Sequence, residues 1–219
     1  MDAKKEVNIC YVCSGNIARS YMAEAITCHL LKNRYLVQEQ YLAENIHIIS
    51  TGTFVIFRSI PRSTIMALEK IEVPPIVSNP TRISIDQIQD SDLVLTMADA
   101  HRNNIIKNFS QIDQKKIFTL LELANIILYL ESEKIYRRKA KKIEPKRSLD
   151  TVGYLKNKMD TLTNINREVL LTTDRLDIQD PFGKSSKIYI EVAKKIKDNI
   201  IIIFDYLFDS RVIDQMGEL

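Results

Sequence analysis

Residues 7–20 read VNICYVCSGNIARS and join an apolar run to a short polar loop. The run at 7–12 is rich in β-branched residues, which predicts a buried strand. Apolar residues recur at helical spacing over residues 19–32, which predicts a helix. The polar loop therefore connects the carboxyl end of a strand to the amino end of a helix.

Strand and helix patterns alternate along much of the remaining chain. Strands are predicted at 46–49, 91–97 and 116–118, and helices at 61–71, 100–109, 120–130 and 185–208. This alternation favours a parallel sheet covered on both faces, because its crossovers are right-handed. We expect an α/β three-layer sandwich with a four-stranded, parallel, flavodoxin-like sheet. Ligands of such sheets bind beyond the carboxyl ends of the strands, where the loop at Cys13 lies.

The pattern changes at about residue 131. A basic run over 137–147 precedes an amphipathic stretch at 155–171, and the chain then returns to a loop at 177–183. We interpret 131–175 as a helical insertion within a single domain that covers residues 1–219. Because it enters just before the loop at 177–183, it could act as a lid. Its basic residues could instead dock an acidic partner, although a solvated helix face is the ordinary explanation for such a run.

Composition narrows the class of protein. The formal net charge is +3 and 45% of residues are hydrophobic, which gives no reason to expect a nucleic acid or a membrane surface as partner. Cys10, Cys13 and Cys28 have no disulfide-framework spacing, which favours a reducing compartment. No apolar run is long enough for a signal region or for a membrane span of ~20 residues. We therefore expect a cytoplasmic protein.

The loop has the pattern C-x5-R-S, which suits phosphate binding. Backbone N–H groups that wrap toward a helix N-terminus form an anion site, and Gly15 and Asn16 tolerate the positive φ that a tight wrap requires. Arg19 offers two parallel donors to phosphate oxygens. The predicted phosphate-binding residues are Ser14, Gly15, Asn16, Ile17, Ala18 and Arg19.

Cys13 is the predicted nucleophile of this loop. The positive surroundings should favour its thiolate over its thiol, and the hydroxyl of Ser20 could donate to that thiolate. A cysteine at a strand end is more often a small core residue, and C-x5-R matches also occur by chance. Here the match follows a strand, opens a helix and is followed by Ser20, so we favour the catalytic interpretation.

Asp180 is the predicted general acid. Transfer of a phosphoryl group to sulfur needs a proton donor for the leaving oxygen and later a base for the attacking water. Pro181 holds Asp180 in extended backbone outside any helix. A simple Asp-Pro turn is the alternative explanation, and Asp177 is a weaker rival donor.

Four segments together resemble the low-molecular-weight protein-tyrosine phosphatases. They are Val12–Ser20 with Met22-Ala23-Glu24-Ala25, Ser50-Thr51-Gly52-Thr53, Asp90–Met97, and Asp180-Pro181-Phe182-Gly183. The resemblance covers roughly residues 7–124 and 177–207, in the family's order. It implies that Cys13 forms a cysteinyl-phosphate, that Arg19 and the loop amides hold the phosphoryl oxygens, and that Asp180 protonates the leaving group and then activates water.

The resemblance also implies how the loop is supported. Asn16 would keep the loop wound with help from the Ser50 hydroxyl, and Asn79 stands where many relatives have a supporting histidine. Neither a metal nor a cofactor is implied. Many relatives carry a second cysteine before the arginine, where this chain has Ala18, so we expect Cys13 to lack a disulfide partner against oxidation.

The family contains several activities, and the sequence separates them in part. Arsenate reductases need further cysteines, and this chain has none after Cys28. Arginine phosphatases of the family carry threonine in the loop where this chain has Ile17, a bulkier apolar wall that suits an aromatic ring. We therefore expect phosphotyrosine, in a protein or as a small phosphomonoester, as the substrate. An arginine phosphatase and a non-catalytic phosphoprotein-binding module remain alternatives.

The sequence also offers candidate walls for a substrate cleft. Phe54, Ile56, Phe57 and Phe182 are apolar and lie close to the matching segments. Each of them could equally be a core residue.

Overall fold

The computed structural model describes residues 6–37, 44–138, 151–165 and 176–208. Its centre is a four-stranded parallel sheet in the order β2-β1-β3-β4. The strands are β1 Val7–Cys13, β2 Ile46–Gly52, β3 Leu93–Thr96 and β4 Ile117–Thr119. Since all four run in the same direction, Cys13 and the carboxyl ends of the other strands lie at one edge of the sheet.

Helices connect the strands and cover the sheet. They are α1 Arg19–Leu30, α2 Arg62–Lys70, α3 Ile85–Asp90, α4 Asp99–Asn108, α5 Leu120–Arg138, α6 Thr151–Thr163 and α7 Ser186–Phe208. A π-helical turn, Leu31–Tyr35, continues α1, and a 3₁₀ turn, Gln114–Lys116, precedes β4.

The core has two layers because side chains alternate between the two faces of each strand. Ile9, Tyr11 and Cys13 belong to the larger cluster, and Cys10 and Val12 belong to the smaller one. The larger cluster also contains residues of α1, α2, α5, α6 and α7, whereas the smaller one contains residues of α3 and α4. The predicted α/β three-layer sandwich with its four-stranded parallel sheet is therefore confirmed.

Helices α3 and α5 differ from the sequence prediction. Helix α3 was not predicted; its N-cap Ser84 accepts from Gln87 N, and Gln87 Oε1 accepts from Ser84 N, a capping box that the spacing S-x-x-Q already carries. Helix α5 runs to Arg138 rather than to residue 130, so it continues into the segment interpreted as an insertion.

Helix α6 lies at the amino ends of the strands, far from the loop at Cys13. Lys156 Nζ contacts Asp92 Oδ1 at 3.3 Å, directly before β3, and Lys158 Nζ donates to the carbonyl of Tyr206 near the end of α7. Its buried side chains join the larger core cluster: Val152, Leu155, Met159 and Leu162. The lid hypothesis is therefore wrong for α6, which packs as part of the core.

Helix α6 is shorter than the helix that the sequence predicts. The sequence predicts a helix at 155–171, whereas the observed helix begins at Thr151 and ends at Thr163. Residues 166–171 of the predicted helix lie outside the described residues. The basic run falls mostly in 139–147, which also lies outside them. In the part of the chain that the structure describes, no helix is long and apolar enough to cross a membrane.

Candidate active site

The loop at Cys13 is fastened to the chain that follows β2. Thr53 N donates to Cys13 O at 2.9 Å, and Phe54 N donates to Ser14 O at 2.8 Å. A Cβ atom at Gly52 would lie only 2.5 Å from Ser14 O. Glycine is therefore required at position 52 for this close approach of two backbones.

The Cys13 sulfur is buried between two donors of its own loop. Ser20 Oγ lies 3.1 Å from Cys13 Sγ, and Asn16 N donates to the same sulfur at 3.3 Å. Ser20 Oγ also lies 3.2 Å from the carbonyl of Thr51. Because a serine hydroxyl has one proton, a thiolate at Cys13 would compete with that carbonyl for it.

Asn16 holds the loop in its wound shape. Its φ of 54° is left-handed, a conformation that asparagine tolerates better than most residues. Its Nδ2 donates to Ser20 Oγ at 3.0 Å and to Ser50 Oγ at 2.7 Å, and its Oδ1 accepts from Thr81 N at 2.8 Å. Both N–H donors and the oxygen of the amide are thus hydrogen-bonded inside the protein.

The structure corrects the prediction for Asn79. Its side chain is exposed, and the neighbouring support for the loop comes from the backbone N–H of Thr81. Asn79 contributes only its carbonyl, which accepts from Thr81 Oγ1 at 3.0 Å. Glu24 was missed as a further support: its Oε2 accepts from Ser50 Oγ at 2.6 Å. Burial raises the pKa of Glu24, against the lowering effect of its hydrogen bonds with Ser50.

Arg19 and Asp180 are in direct contact. Arg19 Nη2 lies 2.5 Å from Asp180 Oδ2, and Arg19 Nη1 donates to Ile178 O at 3.2 Å. The arginine side chain is 7% exposed and that of Asp180 is 50% exposed. Asp180 Oδ1 also accepts from Phe182 N at 3.1 Å. The sequence-predicted anion clamp and general acid therefore come together in space.

The loop that carries Asp180 is anchored at its first residues. Ile178 N donates to the carbonyl oxygen of Met97, the residue that directly follows β3, at 2.8 Å. Asp177 Oδ1 accepts from Asp99 N at 2.8 Å, at the first turn of α4. Asp177, the rival donor, is thus occupied as an anchor for the loop.

His101 contacts the phosphate loop and was not predicted from the sequence. Its Nε2 lies 2.9 Å from Ser14 Oγ, and the residue is 5% exposed. Burial, with a smaller effect of Arg19, lowers the pKa of His101 to about 4, against the opposing effect of Asp180 and Asp177. The imidazole is therefore neutral near pH 6.

Apolar side chains surround the loop as exposed groups. Phe54, Ile56, Phe57 and Phe182 are all exposed rather than core. The rings of Phe57 and Phe182 approach to 5.3 Å between centroids, and Phe57 lies near Gly15. Ile17 is buried, with 5% exposed. An open cavity of about 560 Å³ lies on the α7 side of Arg19 and Asp180.

Cys10 lies on the opposite face of β1 from Cys13. It belongs to the smaller core cluster, and burial raises its pKa to about 12. Ala18, at the position where relatives have a cysteine, is also buried. The described part of the chain therefore gives Cys13 no cysteine with which to close a disulfide.

We predict that excess peroxide drives Cys13 to its sulfinic acid, which dithiothreitol cannot reduce. Mass spectrometry should find two added oxygen atoms on the Cys13 peptide, and activity should not return. Ala18→Cys is the matched control, because its disulfide with Cys13 would be reducible. Full recovery of the unsubstituted protein by dithiothreitol contradicts the prediction.

The fold and the loop together define an α/β protein with an anion-binding loop of the phosphatase type. The chain belongs to the low molecular weight phosphotyrosine protein phosphatase family, whose model matches residues 8–128. It is 31% identical over 117 residues to the low molecular weight protein-tyrosine-phosphatase PtpB of Staphylococcus epidermidis, a match that covers 53% of this chain and 73% of the relative. The chain is accordingly a phosphatase of this family.

Solved structures share the fold. The low molecular weight protein tyrosine phosphatase of T. tengcongensis matches with a TM-score of 0.58 at 18% identity, over 91% of this chain and 99% of that one. The YwlE arginine phosphatase of Geobacillus stearothermophilus matches with a TM-score of 0.56 at 19% identity, over 97% of both chains. At these identities the likeness concerns the fold alone.

Proposed function

We propose that the chain hydrolyses phosphotyrosine in proteins through a cysteinyl-phosphate on Cys13. One observation carries the proposal, namely the convergence of three groups. The Cys13 sulfur accepts from Asn16 N and lies 3.1 Å from Ser20 Oγ, and Arg19 of the same loop contacts Asp180. Nucleophile, anion clamp and proton donor are thus close together.

Substrate binding uses the loop amides and Arg19. The N–H groups of the loop, at the amino end of α1, would surround the three non-bridging oxygens of the phosphoryl group. Arg19 would exchange its contact with Asp180 for two of these oxygens, since its guanidinium donates two parallel hydrogen bonds. This exchange leaves Asp180 free to act on the leaving group.

The first chemical step forms the bond between sulfur and phosphorus. The Cys13 thiolate attacks phosphorus, the bond from phosphorus to the phenolic oxygen breaks, and protonated Asp180 gives its proton to that oxygen. Tyrosine leaves as a neutral phenol. Ser20 and the amide of Asn16 hold the thiolate before the attack.

The second step regenerates the enzyme. Asp180, now a carboxylate, takes a proton from a water molecule as the water oxygen attacks phosphorus. The bond between phosphorus and sulfur breaks, inorganic phosphate leaves, and the Cys13 thiolate returns to its donors. Neither step needs a metal or a cofactor.

Two features favour an aromatic substrate. The rings of Phe57 and Phe182 are exposed and close to the loop, and offset or tilted ring pairs are favourable partners for a further ring. The relative PtpB is itself named a protein-tyrosine-phosphatase. Arginine phosphatase activity is the second candidate, because one neighbour in structure is described as an arginine phosphatase.

We predict that a phosphotyrosine peptide is hydrolysed with kcat/KM at least about tenfold above that for a phosphoarginine peptide of the same sequence. The reason is the pair of exposed rings, Phe57 and Phe182, beside the loop, which can pack against an aromatic leaving group. Dephosphorylation is followed by mass spectrometry at neutral pH, and Ile17→Thr should narrow the ratio. A ratio below one selects the arginine phosphatase, and inertness toward both peptides selects a binding module.

Other parts of the proposal remain predictions. We propose a cytoplasmic location because the cysteines have no disulfide-framework spacing. We propose a single domain because the buried side chains of α6 belong to the same core cluster as those of the sheet. The docking of an acidic partner by the basic run concerns residues outside the described ranges. Docking would be supported if substitution of the basic residues of that run abolished binding of an acidic partner and left catalysis unchanged.

A further inference from the structure

The first turn of α4 contacts both loops of the site. His101 of this turn contacts Ser14 of the phosphate loop through Nε2 and Oγ at 2.9 Å. Asp99 N of the same turn donates to Asp177 at 2.8 Å, in the loop that leads to Asp180. We call residues 97–101 the bracket, since Met97 O accepts from the same loop.

The bracket is fixed to the core from two sides. Met97 N donates to Val12 O at 2.8 Å, which ties the bracket to β1. Arg102, the next residue, reaches Asp99 Oδ1 and Glu122 Oε2, each at 2.6 Å. Glu122 is 1% exposed and its Oε2 also accepts from Thr119 N at the end of β4. The bracket therefore has little freedom to follow either loop.

His101 gains little from this position as a core residue. It is almost fully buried, and its Nδ1 has no hydrogen-bond partner among the described residues. An unpaired polar atom of a buried ring is unfavourable and calls for an explanation. Because the ring is neutral at the pH of a phosphatase assay, its contact with Ser14 does not depend on pH there.

We propose that His101 is a positioning residue, which holds Ser14 on the bracket and so keeps the Cys13 loop and the Asp180 loop at a fixed separation. Attack by Cys13 and protonation by Asp180 occur on opposite sides of the same phosphorus atom. A small change in their separation lowers the rate strongly, because the reacting atoms must be aligned together. His101 itself need not touch the substrate.

The variants separate the hydrogen bond from the rest of the side chain. His101→Gln places an amide where Nε2 lies, whereas His101→Asn carries the same amide but is too short to reach Ser14. His101→Ala and Ser14→Ala remove the hydrogen bond from either end. Ser14 is only partly buried, so Ser14→Ala tests the contact without a cavity in the core.

The kinetic measurement rests on the proposed function. We expect kcat/KM for aryl phosphates to fall about tenfold in His101→Ala, His101→Asn and Ser14→Ala. The loss should grow as the leaving group becomes more basic, because protonation by Asp180 then matters more. His101→Gln should restore most of the rate, and the double variant Ser14→Ala with His101→Ala should lose no more than either single variant.

Hydrogen exchange tests the same inference without turnover. In the ligand-free protein, peptides over 13–20 and 176–183 should exchange faster in His101→Ala than in His101→Gln, and peptides of β1 and α7 should not. The inference is overturned if His101→Ala and the unsubstituted protein have the same kcat/KM and the same hydrogen-exchange rates in these peptides. An inert wild type refutes the proposed function instead, and the exchange comparison then decides the role of His101 alone.

Discussion

Cys13→Ser is expected to reduce hydrolysis of para-nitrophenyl phosphate by at least about 10⁴-fold. A serine hydroxyl is a far weaker nucleophile than a thiolate, and the contacts around Cys13 Sγ come from donors, Ser20 and Asn16 N. Donors stabilise an anion but cannot remove the proton of a serine hydroxyl. The substitution therefore leaves the loop without an activated nucleophile.

The fold of the loop should survive this substitution. Asn16 keeps its hydrogen bonds to Ser20, Ser50 and Thr81, none of which involves the sulfur. Cys13→Ser should therefore still bind tungstate, a phosphate mimic, while it no longer turns over substrate. Isothermal titration gives the affinity and absorbance gives the rate.

Cys28→Ser is the matched control for the loss of a thiol. Cys28 lies on α1, beyond the loop, and is a free cysteine of intermediate burial. Its substitution should leave turnover close to that of the unsubstituted protein. If Cys13→Ser retains turnover above a hundredth of the original rate, the reaction does not pass through that sulfur.

The sequence was informative where side chains carry the signal. The strand at 7–12, the helix after Arg19 and the glycine and asparagine of the loop each have a local physical cause. The structure brings Arg19, in the same loop as Cys13, into contact with Asp180. The spacing of Ser84 and Gln87 is also that of a capping box, although the sequence analysis does not predict the short helix that it begins.

Other contacts could not be obtained from residue identity. The loop receives support from the backbone N–H of Thr81, and every residue except proline carries such a group. The prediction for Asn79 failed for this reason. His101 lies five residues beyond the end of β3, and no local pattern distinguishes it from a surface histidine of an ordinary helix. Only the packing of α4 against the loop reveals its contact with Ser14.

The position of α6 illustrates a second limit. The amphipathic pattern predicts that one face of the helix is buried, but it does not say against what. Because the segment precedes Asp180 closely in the sequence, a position near the active site was expected for it. The structure instead buries Leu155 and Met159 in the core at the opposite end of the sheet. Proximity in sequence is a weak guide to proximity in space for a segment joined at both ends by long connections.

Asp180→Asn is expected to reduce kcat by about 10²–10⁴-fold for substrates with basic leaving groups, because the amide cannot supply the proton. For para-nitrophenyl phosphate the loss should be smaller, since nitrophenolate leaves without protonation. A series of aryl phosphates with leaving groups of increasing basicity measures this difference. A rate loss that is the same for every leaving group contradicts the role of proton donor.

Asp177→Asn distinguishes the two carboxylates of the same loop. Asp177 acts through its Oδ1, which accepts from Asp99 N, and an asparagine oxygen can accept that hydrogen bond as well. Its kcat should therefore fall by no more than a few-fold. The reverse pattern, with Asp177→Asn inactive and Asp180→Asn active, would exchange the two roles.

Binding of tungstate should change in the opposite direction to turnover in Asp180→Asn. In the unsubstituted protein Arg19 is paired with Asp180 at 2.5 Å, so an oxyanion must displace a carboxylate before Arg19 can bind it. Removal of that charge frees Arg19, and the affinity should rise only a few-fold, because Asp180 is half-exposed and solvent screens its ion pair. Unfolding or a distorted loop would lower affinity and rate together. A gain in affinity with a loss in rate therefore assigns both effects to the carboxylate of Asp180, as competitor of the phosphoryl group in the resting site and as its proton donor during the reaction.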